Sequence, residues 1–328
     1  MKMNMARSSL LFPIFLLIVL PGIALSQQNS HPPALQGNSF AIRSNVNLVV
    51  LRATVRDHAG VPVAGLGKED FKVYEDKALQ QIESFSHEDV PVTVGLVIDN
   101  SGSMKSKRGD VISASLAFVR SSNPQDQVFV VNFNEHVSMG LPGNEPFTDN
   151  QTQLERGLSR NKADGMTALY DAVAVALDHL KMGKWDKKVL IVISDGGDNA
   201  SVHSLAQIMP MVNESSASIY TLGIYDDNDD DRNPHVLKEL SRASGGEAFF
   251  PESLEQILPI CQKIANDIRN QYTVTYESTN SKSDGSYRAI EVKAQNTSGH
   301  GRLVVNTRAG YSAPLNPPAA AGAQSVRQ

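Results

Sequence analysis

The sequence predicts an α/β fold: a doubly wound, mostly parallel sheet inserted in or flanked by a small β-sandwich domain. Three observations carry this. The runs TVGLVID, QVFVVNFN, VLIVISD and ASIYTLGIY are continuously apolar, as in strands covered on both faces. Helix-like patterns alternate with them, which is the order of a parallel sheet with crossover helices. Before and after this block the pattern changes to alternation of apolar and polar residues, the mark of half-buried antiparallel strands.

The elements follow in order. The first residues, MKMNMARSSLLFPIFLLIVLPGIALSQQ, place Lys2 and Arg7 before the apolar block Leu10 to Leu20, then Pro21-Gly22 and Ala24-Leu25-Ser26. This pattern is a secretory signal peptide over 1–26, too short in its apolar part for the roughly 20 residues of a spanning helix. A polar leader occupies 27–44. Over 45–90, VVLRATVRD puts Val49, Leu51, Ala53 and Val55 on one face, and FKVYED and QIESFSHE read as further short strands. The α/β block spans 91–270. Its helices include one with Val111, Ser115, Phe118 and Val119 on one side. Another repeats Leu169, Ala172, Val173, Ala176, Leu177 and Leu180. Further helices are expected at 202–212, 234–243 and 254–270, with GEAFF as a last short strand.

After residue 270 the alternation returns over 271–313. YTVTYES and YRAIEVKA are strands, Asp284-Gly285 is a hairpin signal, and RLVVNTRAGY adds one more strand. Residues 314–328 read as a disordered tail. Each β piece is short for an independent core. One sandwich made from both is therefore expected, the alternative being two separate β extensions on the α/β unit.

Composition limits function. The 328 residues suffice for about two domains. The net charge of -5 gives no basic surplus, so nucleic acid is not an expected partner. Cys261 is the sole cysteine, so no disulfide within the chain is possible. It falls on an apolar stripe with Leu254, Ile257, Leu258, Ala265 and Ile268 and reads as a buried helix residue. The histidines are scattered and form no zinc signature. No G-x-S-x-G elbow or phosphate-binding loop is present. The acidic run at 224–233 spaces Asp227, Asp229 and Asp231 like a calcium loop. Arg232 and Lys238 stand where such a loop needs glycine and glutamate, so it reads as a solvated acidic loop. Trp185 reads as a packing residue.

The informative stretch is LVIDNSGSM. In an open α/β sheet, ligands bind beyond the carboxyl ends of the strands, where strand order reverses. Asp99 closes the first parallel strand, with Ser101 and Ser103 in the loop beyond it. Asp195 closes another strand in VISDGGDN. Thr167 lies in ADGMTAL, just before the clearest amphipathic helix. One such loop is ordinary, because Asp and Ser cap helices and make turns. Three in this order bring oxygen ligands to one edge. Oxygen-only ligands suit a hard cation such as Mg²⁺. Two carboxylates balance a divalent ion, and neutral hydroxyls leave it able to take a further anionic ligand.

At these residues the sequence resembles von Willebrand factor type A domains. Asp99-x-Ser101-x-Ser103, then Thr167, then Asp195 in SDG, match their metal-ion-dependent adhesion site, with Asp198 and Gly102 close by. The flanks VNLVVLRATVRDHAGVPVAGLGKEDFKVYED, DGSYRAIEVKA and TRAGY resemble the exported relatives of the acidobacterial type. The resemblance implies a Rossmann-like sheet with a short antiparallel edge strand, for which VSMGL at 137–141 is the candidate. It also implies metal ligation by Ser101 and Ser103 directly, Thr167 directly or through water, and Asp99 and Asp195 largely through water.

The expected function is therefore non-enzymatic. An exported protein, in the periplasm, on the cell surface or secreted, would bind a protein partner through Mg²⁺ (or Mn²⁺ or Ca²⁺), with an exposed Asp or Glu of the partner completing the metal sphere. After removal of the signal peptide no membrane span is expected. The alternatives are a metal-dependent hydrolase, which lacks a histidine or glutamate obviously belonging to the three loops, and a structural module stabilised by the metal.

Overall fold

The structure is a computed structural model that describes residues 48–225, 232–295 and 303–315. The expected signal peptide and leader, the acidic residues 226–231 and the tail beyond Leu315 lie outside the described residues. Among the described residues no helix is long and apolar enough to cross a membrane.

The central sheet is built from β5 (Thr93–Asp99), β6 (Gln127–Phe133), β7 (Val137–Met139), β8 (Lys188–Ser194), β9 (Ser218–Gly223) and β10 (Ala248–Phe249), in the order β10-β9-β8-β5-β6-β7. All pairs are parallel except β6 with β7, so the edge strand expected at 137–141 is present as Val137–Met139. Every residue of β5 is buried, because both faces are covered. Its side chains sort by parity: Val94, Leu96 and Ile98 pack into one cluster, Val97 into the other. The first cluster includes residues of α1 (Arg108–Ser121) and α6 (Ile257–Arg269). The second includes residues of α3 (Leu169–Leu180), α4 (Leu205–Glu214) and α5 (Pro234–Ser244). All six apolar positions expected to line α3 are buried.

Sequence periodicity missed or misplaced several local features. A short helix, α2 (Gln151–Leu158), was not expected. Its start is fixed by Asn150, whose side chain accepts from the Thr152 and Gln153 N–H groups. The helix expected from residue 202 begins at Leu205, after Ser204 and Gln207 form a reciprocal cap. It also contains Pro210. The helix expected from 254 starts as a 3₁₀ turn, Leu254–Gln256, and only Ile257–Arg269 is α-helical. Leu254 and Leu258 are therefore exposed, and the buried stripe is Ile257, Cys261, Ile264, Ala265 and Ile268.

The flanking segments form two antiparallel sheets. One orders β13 (Val304–Asn306), β1 (Leu48–Arg56), β11 (Tyr272–Glu277) and β4 (Ile82–Ser86). The other orders β14 (Gly310–Ser312), β12 (Tyr287–Ala294), β2 (Phe71–Glu75) and β3 (Ala78–Gln80). Each sheet mixes strands from before and after the α/β block: β1 pairs with β11, and β2 with β12. The inward residues Leu51, Ala53, Val55, Val73, Tyr272, Val274, Tyr276 and Val292 belong to one cluster shared by both sheets.

Two expectations are corrected here. Asp284-Gly285 does not close a hairpin, because β11 and β12 lie in different sheets; Gly285 takes a left-handed φ of 72° within the crossing between them. The stretch RLVVNTRAGY is not one strand. Its first half pairs with β1 and its second with β12, so it too crosses between sheets. Alternation marked the strands but said nothing of which sheet each joins.

The flanking sheets also bury an ion pair, whose two members alternation puts on inward faces without showing that they meet. Arg288 (1% exposed) and Glu75 (2% exposed) meet at 3.0 Å. Burial pushes the Glu75 carboxyl up, but hydrogen bonds from Ser278, Tyr276, Arg288 and Tyr311 outweigh it and hold the group below its ordinary value of 4.5. Removing one partner of such a pair strands the other. Glu75→Leu is expected to cost about 3–5 kcal/mol in urea unfolding at neutral pH. Because the folded carboxyl lies below its unfolded value, its contribution is complete above pH 4.5 and lost as pH falls through the lower folded value. The variant should lack that acid-side loss; an unfolding midpoint like that of the wild type would refute the role. Burial also pushes the Cys261 thiol up to about 12. It should resist a thiol reagent in the native protein and react on unfolding; stoichiometric labelling without denaturant would contradict this.

Candidate metal site

Parallel pairing puts the ends of β5 and β8 side by side, with Ile98 opposite Ile193. Asp99 thus ends beside Ser194, and Asp195 follows immediately. The Ser194 hydroxyl donates to Asp99 Oδ2 at 2.6 Å. The Ser101 N–H donates to Asp99 Oδ1 at 2.8 Å, closing a tight turn. A 3₁₀ turn, Gly102–Met104, follows, and the buried Met104 side chain fastens it to the core.

This turn brings the two serines to the Asp195 loop. Ser101 Oγ and Ser103 Oγ are 3.1 Å apart, and Ser103 Oγ donates to Asp195 Oδ2 at 2.5 Å. The Gly197 N–H donates to Asp195 Oδ1 at 2.9 Å. Asp99, Ser101, Ser103 and Asp195 therefore form one connected cluster. Asp99, Ser101 and Asp195 are buried, and Ser103 is half-buried.

Thr167 is fixed from both sides by backbone bonds. The Gly102 N–H donates to the Gly165 carbonyl, and the Asp164 N–H to the Asn100 carbonyl, which clamps the 164–167 loop to the first loop. The Asn199 and Ala200 N–H groups donate to the Thr167 carbonyl, and the Thr167 N–H donates to Asn199 Oδ1 at 2.9 Å. Thr167 itself is 6% exposed. Of the two neighbours noted in the sequence, Gly102 serves as this backbone clamp. Asp198 Oδ2 accepts from the Tyr170 N–H and the Ser201 hydroxyl, so it fastens the start of α3.

Burial, then the neighbouring Asp195, push the Asp99 carboxyl up to about 6 against hydrogen bonds from Ser101 and Ser194. Among the described residues no lysine, arginine or histidine forms an ion pair with either carboxylate. Two carboxylates and two hydroxyls converge here. That donor set fits a hard divalent ion.

Sequence reading missed the supports behind the site. Asn100 Nδ2 donates to the Ile98 carbonyl and to Asn132 Oδ1, and Asn132 Nδ2 donates to the Gly157 carbonyl at 2.8 Å. Arg108 donates to Asn100 Oδ1. An asparagine inside the apolar run QVFVVNF was the available signal, since a buried amide needs partners. Glu135 was missed as well. Its carboxylate accepts from the Met166 N–H at 3.0 Å, so a glutamate does meet the Thr167 loop, brought there by the end of β6.

Comparison with known proteins agrees with this architecture. The family model of the von Willebrand factor type A domain matches residues 94–197. The mostly parallel sheet that contains this segment has the fold of that domain, flanked here by the two antiparallel sheets. An uncharacterized protein of Synechocystis is 22% identical over 187 residues. The match covers 55% of this chain and only 42% of that protein's length. A von Willebrand factor type A structure from Catenulispora acidiphila is 13% identical, covers 84% of this chain and 76% of that one, with a TM-score of 0.48. The corresponding domain of a type V pilus tip protein from Porphyromonas gingivalis is 14% identical over 55% of this chain and 97% of that one, at a TM-score of 0.42. Proximal thread matrix protein 1 of mussel byssus, with a zinc-occupied metal-ion-dependent adhesion site, is 15% identical over 56% of this chain and 49% of that one, at 0.44.

The turn after Asp195 depends on Gly196. Its φ is 84°, and a Cβ there would lie 2.4 Å from the Asn233 carbonyl oxygen. Both faults are in backbone, which no side-chain rotation relieves. Gly196→Ala should destabilise the fold by at least about 1 kcal/mol. Unchanged thermal unfolding would show that the loop tolerates displacement.

Proposed function

We propose that this protein is an exported interaction protein that binds a protein partner through a divalent cation, Mg²⁺ first, held by Asp99, Ser101, Ser103, Thr167 and Asp195. The observation that carries the reading is the convergence of Ser101, Ser103 and Asp195 over the buried Asp99, whose carboxyl burial and the neighbouring Asp195 push up, with no ion pair to either carboxylate among the described residues. The bound ion would supply a Lewis-acidic centre for an anionic oxygen. Ser101 and Ser103 contribute neutral oxygens, and the two aspartates balance the charge. An exposed Asp or Glu of the partner then fits as the remaining ligand. The family match over the same loops supports this reading. The signal-peptide pattern of residues 1–26 supports export to the periplasm, cell surface or medium. The flanking β segments support kinship with the exported acidobacterial-type relatives.

A hydrolase is the second reading, favoured by one observation: Glu135 stands at the Thr167 loop as a carboxylate able to act as a base. Its recorded bond, however, is to the Met166 N–H, which engages one of its oxygens in holding that loop.

Calorimetric titration of chelator-treated protein with Mg²⁺, Mn²⁺ and Ca²⁺ tests the proposal. One ion per chain should bind saturably, and Asp99→Ala should abolish the binding while leaving the far-ultraviolet circular dichroism unchanged. Absence of binding up to about millimolar ion, on the affinity scale where RT ln Kd is about -4 kcal/mol, would remove the proposal's main support. Phosphatase or peptidase turnover that is lost in Glu135→Gln would move the reading to the hydrolase.

A further inference from the structure

At the opposite ends of β5 and β8 from the candidate metal site, a cleft of about 630 Å³ opens where the sandwich meets the α/β unit. Val50 and Arg52 of β1 line one side, Val90 and Pro91 the strand-to-strand connection, and Trp185 and Lys187 the approach to β8. This size is that of a small-molecule site.

The charge in this cleft is unusual. Lys187 is 3% exposed and donates to the Ile268 carbonyl in the last turn of α6. Arg52 Nη1 donates to Thr273 Oγ1 at 2.7 Å. Among the described residues neither cation makes an ion pair within 4.0 Å. Burial, then Arg52, hold the Lys187 ammonium down at about 7, with Asp89 and Asp126 acting the other way. Those carboxylates are engaged elsewhere. Asp89 pairs with Arg269 at 2.7 Å, and Asp126 accepts from the Val92 and Asn123 N–H groups. Burial also lowers Arg52, opposed only by Asp186 at the exposed rim. Charge removed from water is costly unless it is paired, so a carboxylate entering here would find a partner already desolvated.

Val50, Val90, Pro91 and Trp185 give the remaining wall an apolar part, beside the hydroxyls of Ser86, Ser216 and Thr273. Val50 and Val90 are 40% and 37% exposed. The Trp185 indole N–H is spent on the Gln125 carbonyl at 3.0 Å, which holds the ring in place at the cleft.

The geometry points to a binding site for a small organic monocarboxylate with an apolar body. Its carboxylate would lie on Arg52, with Lys187 behind, and its body against Trp185, Val50 and Val90. Asp186 at the rim disfavours more highly charged anions. The site is independent of the metal site.

Trp185 is the chain's only tryptophan, so its emission reports on this cleft directly. The probe is 3-phenylpropionate added to the full chain, with 3-phenylpropionamide and inorganic phosphate as comparisons. A saturable change in emission with millimolar or tighter Kd is expected. The amide and phosphate should bind at least about tenfold more weakly, the difference expected from a desolvated charge-assisted pair. Arg52→Gln should lose the carboxylate by the same factor, and Asp186→Asn should bind it more tightly. No saturable response to 3-phenylpropionate, or equal binding of the amide, would overturn the inference. So would equal binding of phosphate. If Arg52→Gln does not fold, the comparison of carboxylate with amide in the wild type and in Asp186→Asn still decides.

Discussion

The candidate site rests on one constraint: two parallel strands end in register with a carboxylate on each side of the join. β5 and β8 are paired along their length, so Asp99 and the Ser194-Asp195 turn cannot move apart without breaking the centre of the sheet. Ordinarily two buried acids would be kept apart. Here the ladder holds them near each other, and hydroxyls from Ser101, Ser103 and Ser194 supply hydrogen bonds that soften the repulsion without adding charge. The loops then follow from this frame. The first is clamped to the 164–167 loop by backbone bonds, and that loop to the 199–200 backbone, so the edge behaves as one braced rim.

A second layer of bracing is built from amides. Asn100 and Asn132 stand where the apolar pattern of β5 and β6 gives way to the loops, and both are fully enclosed. Their bonds run from the β5 end to the Gly157 carbonyl in α2, with Arg108 of α1 joining at Asn100. The rim is thereby tied to helices on the outer side of β6. Satisfied amides of this kind fix loop direction more sharply than apolar contacts do, because each bond has a preferred geometry.

Much of this was legible in the sequence. Continuous apolar runs located β5, β6, β8 and β9, because strands buried on both faces leave no room for polar residues. The D-x-S-x-S spacing located the first loop, because a chain leaving a strand end must turn with short polar side chains. What remained hidden depends on contacts distant in sequence. Alternation in YRAIEVKA puts Arg288 on the face of Ile290 and Val292, but nothing local says that its partner there is Glu75, 213 positions earlier. Nothing local in Asp284-Gly285 says that the chain changes sheet there. Glu135 was invisible for the same reason: its partner, Met166, is reached only after the intervening helix returns the chain to the sheet edge.

The interleaving of β1 and β2 with β11 and β12 sets an order of events for the chain. Arg52 must find Thr273, 221 positions later. Closing so long a loop is entropically unfavourable until the intervening residues are compact. During synthesis, the first β segment would therefore wait, unpaired, while the α/β unit between the two halves condenses and brings its own ends together. The sandwich becomes the closing step, formed only when the last strands arrive.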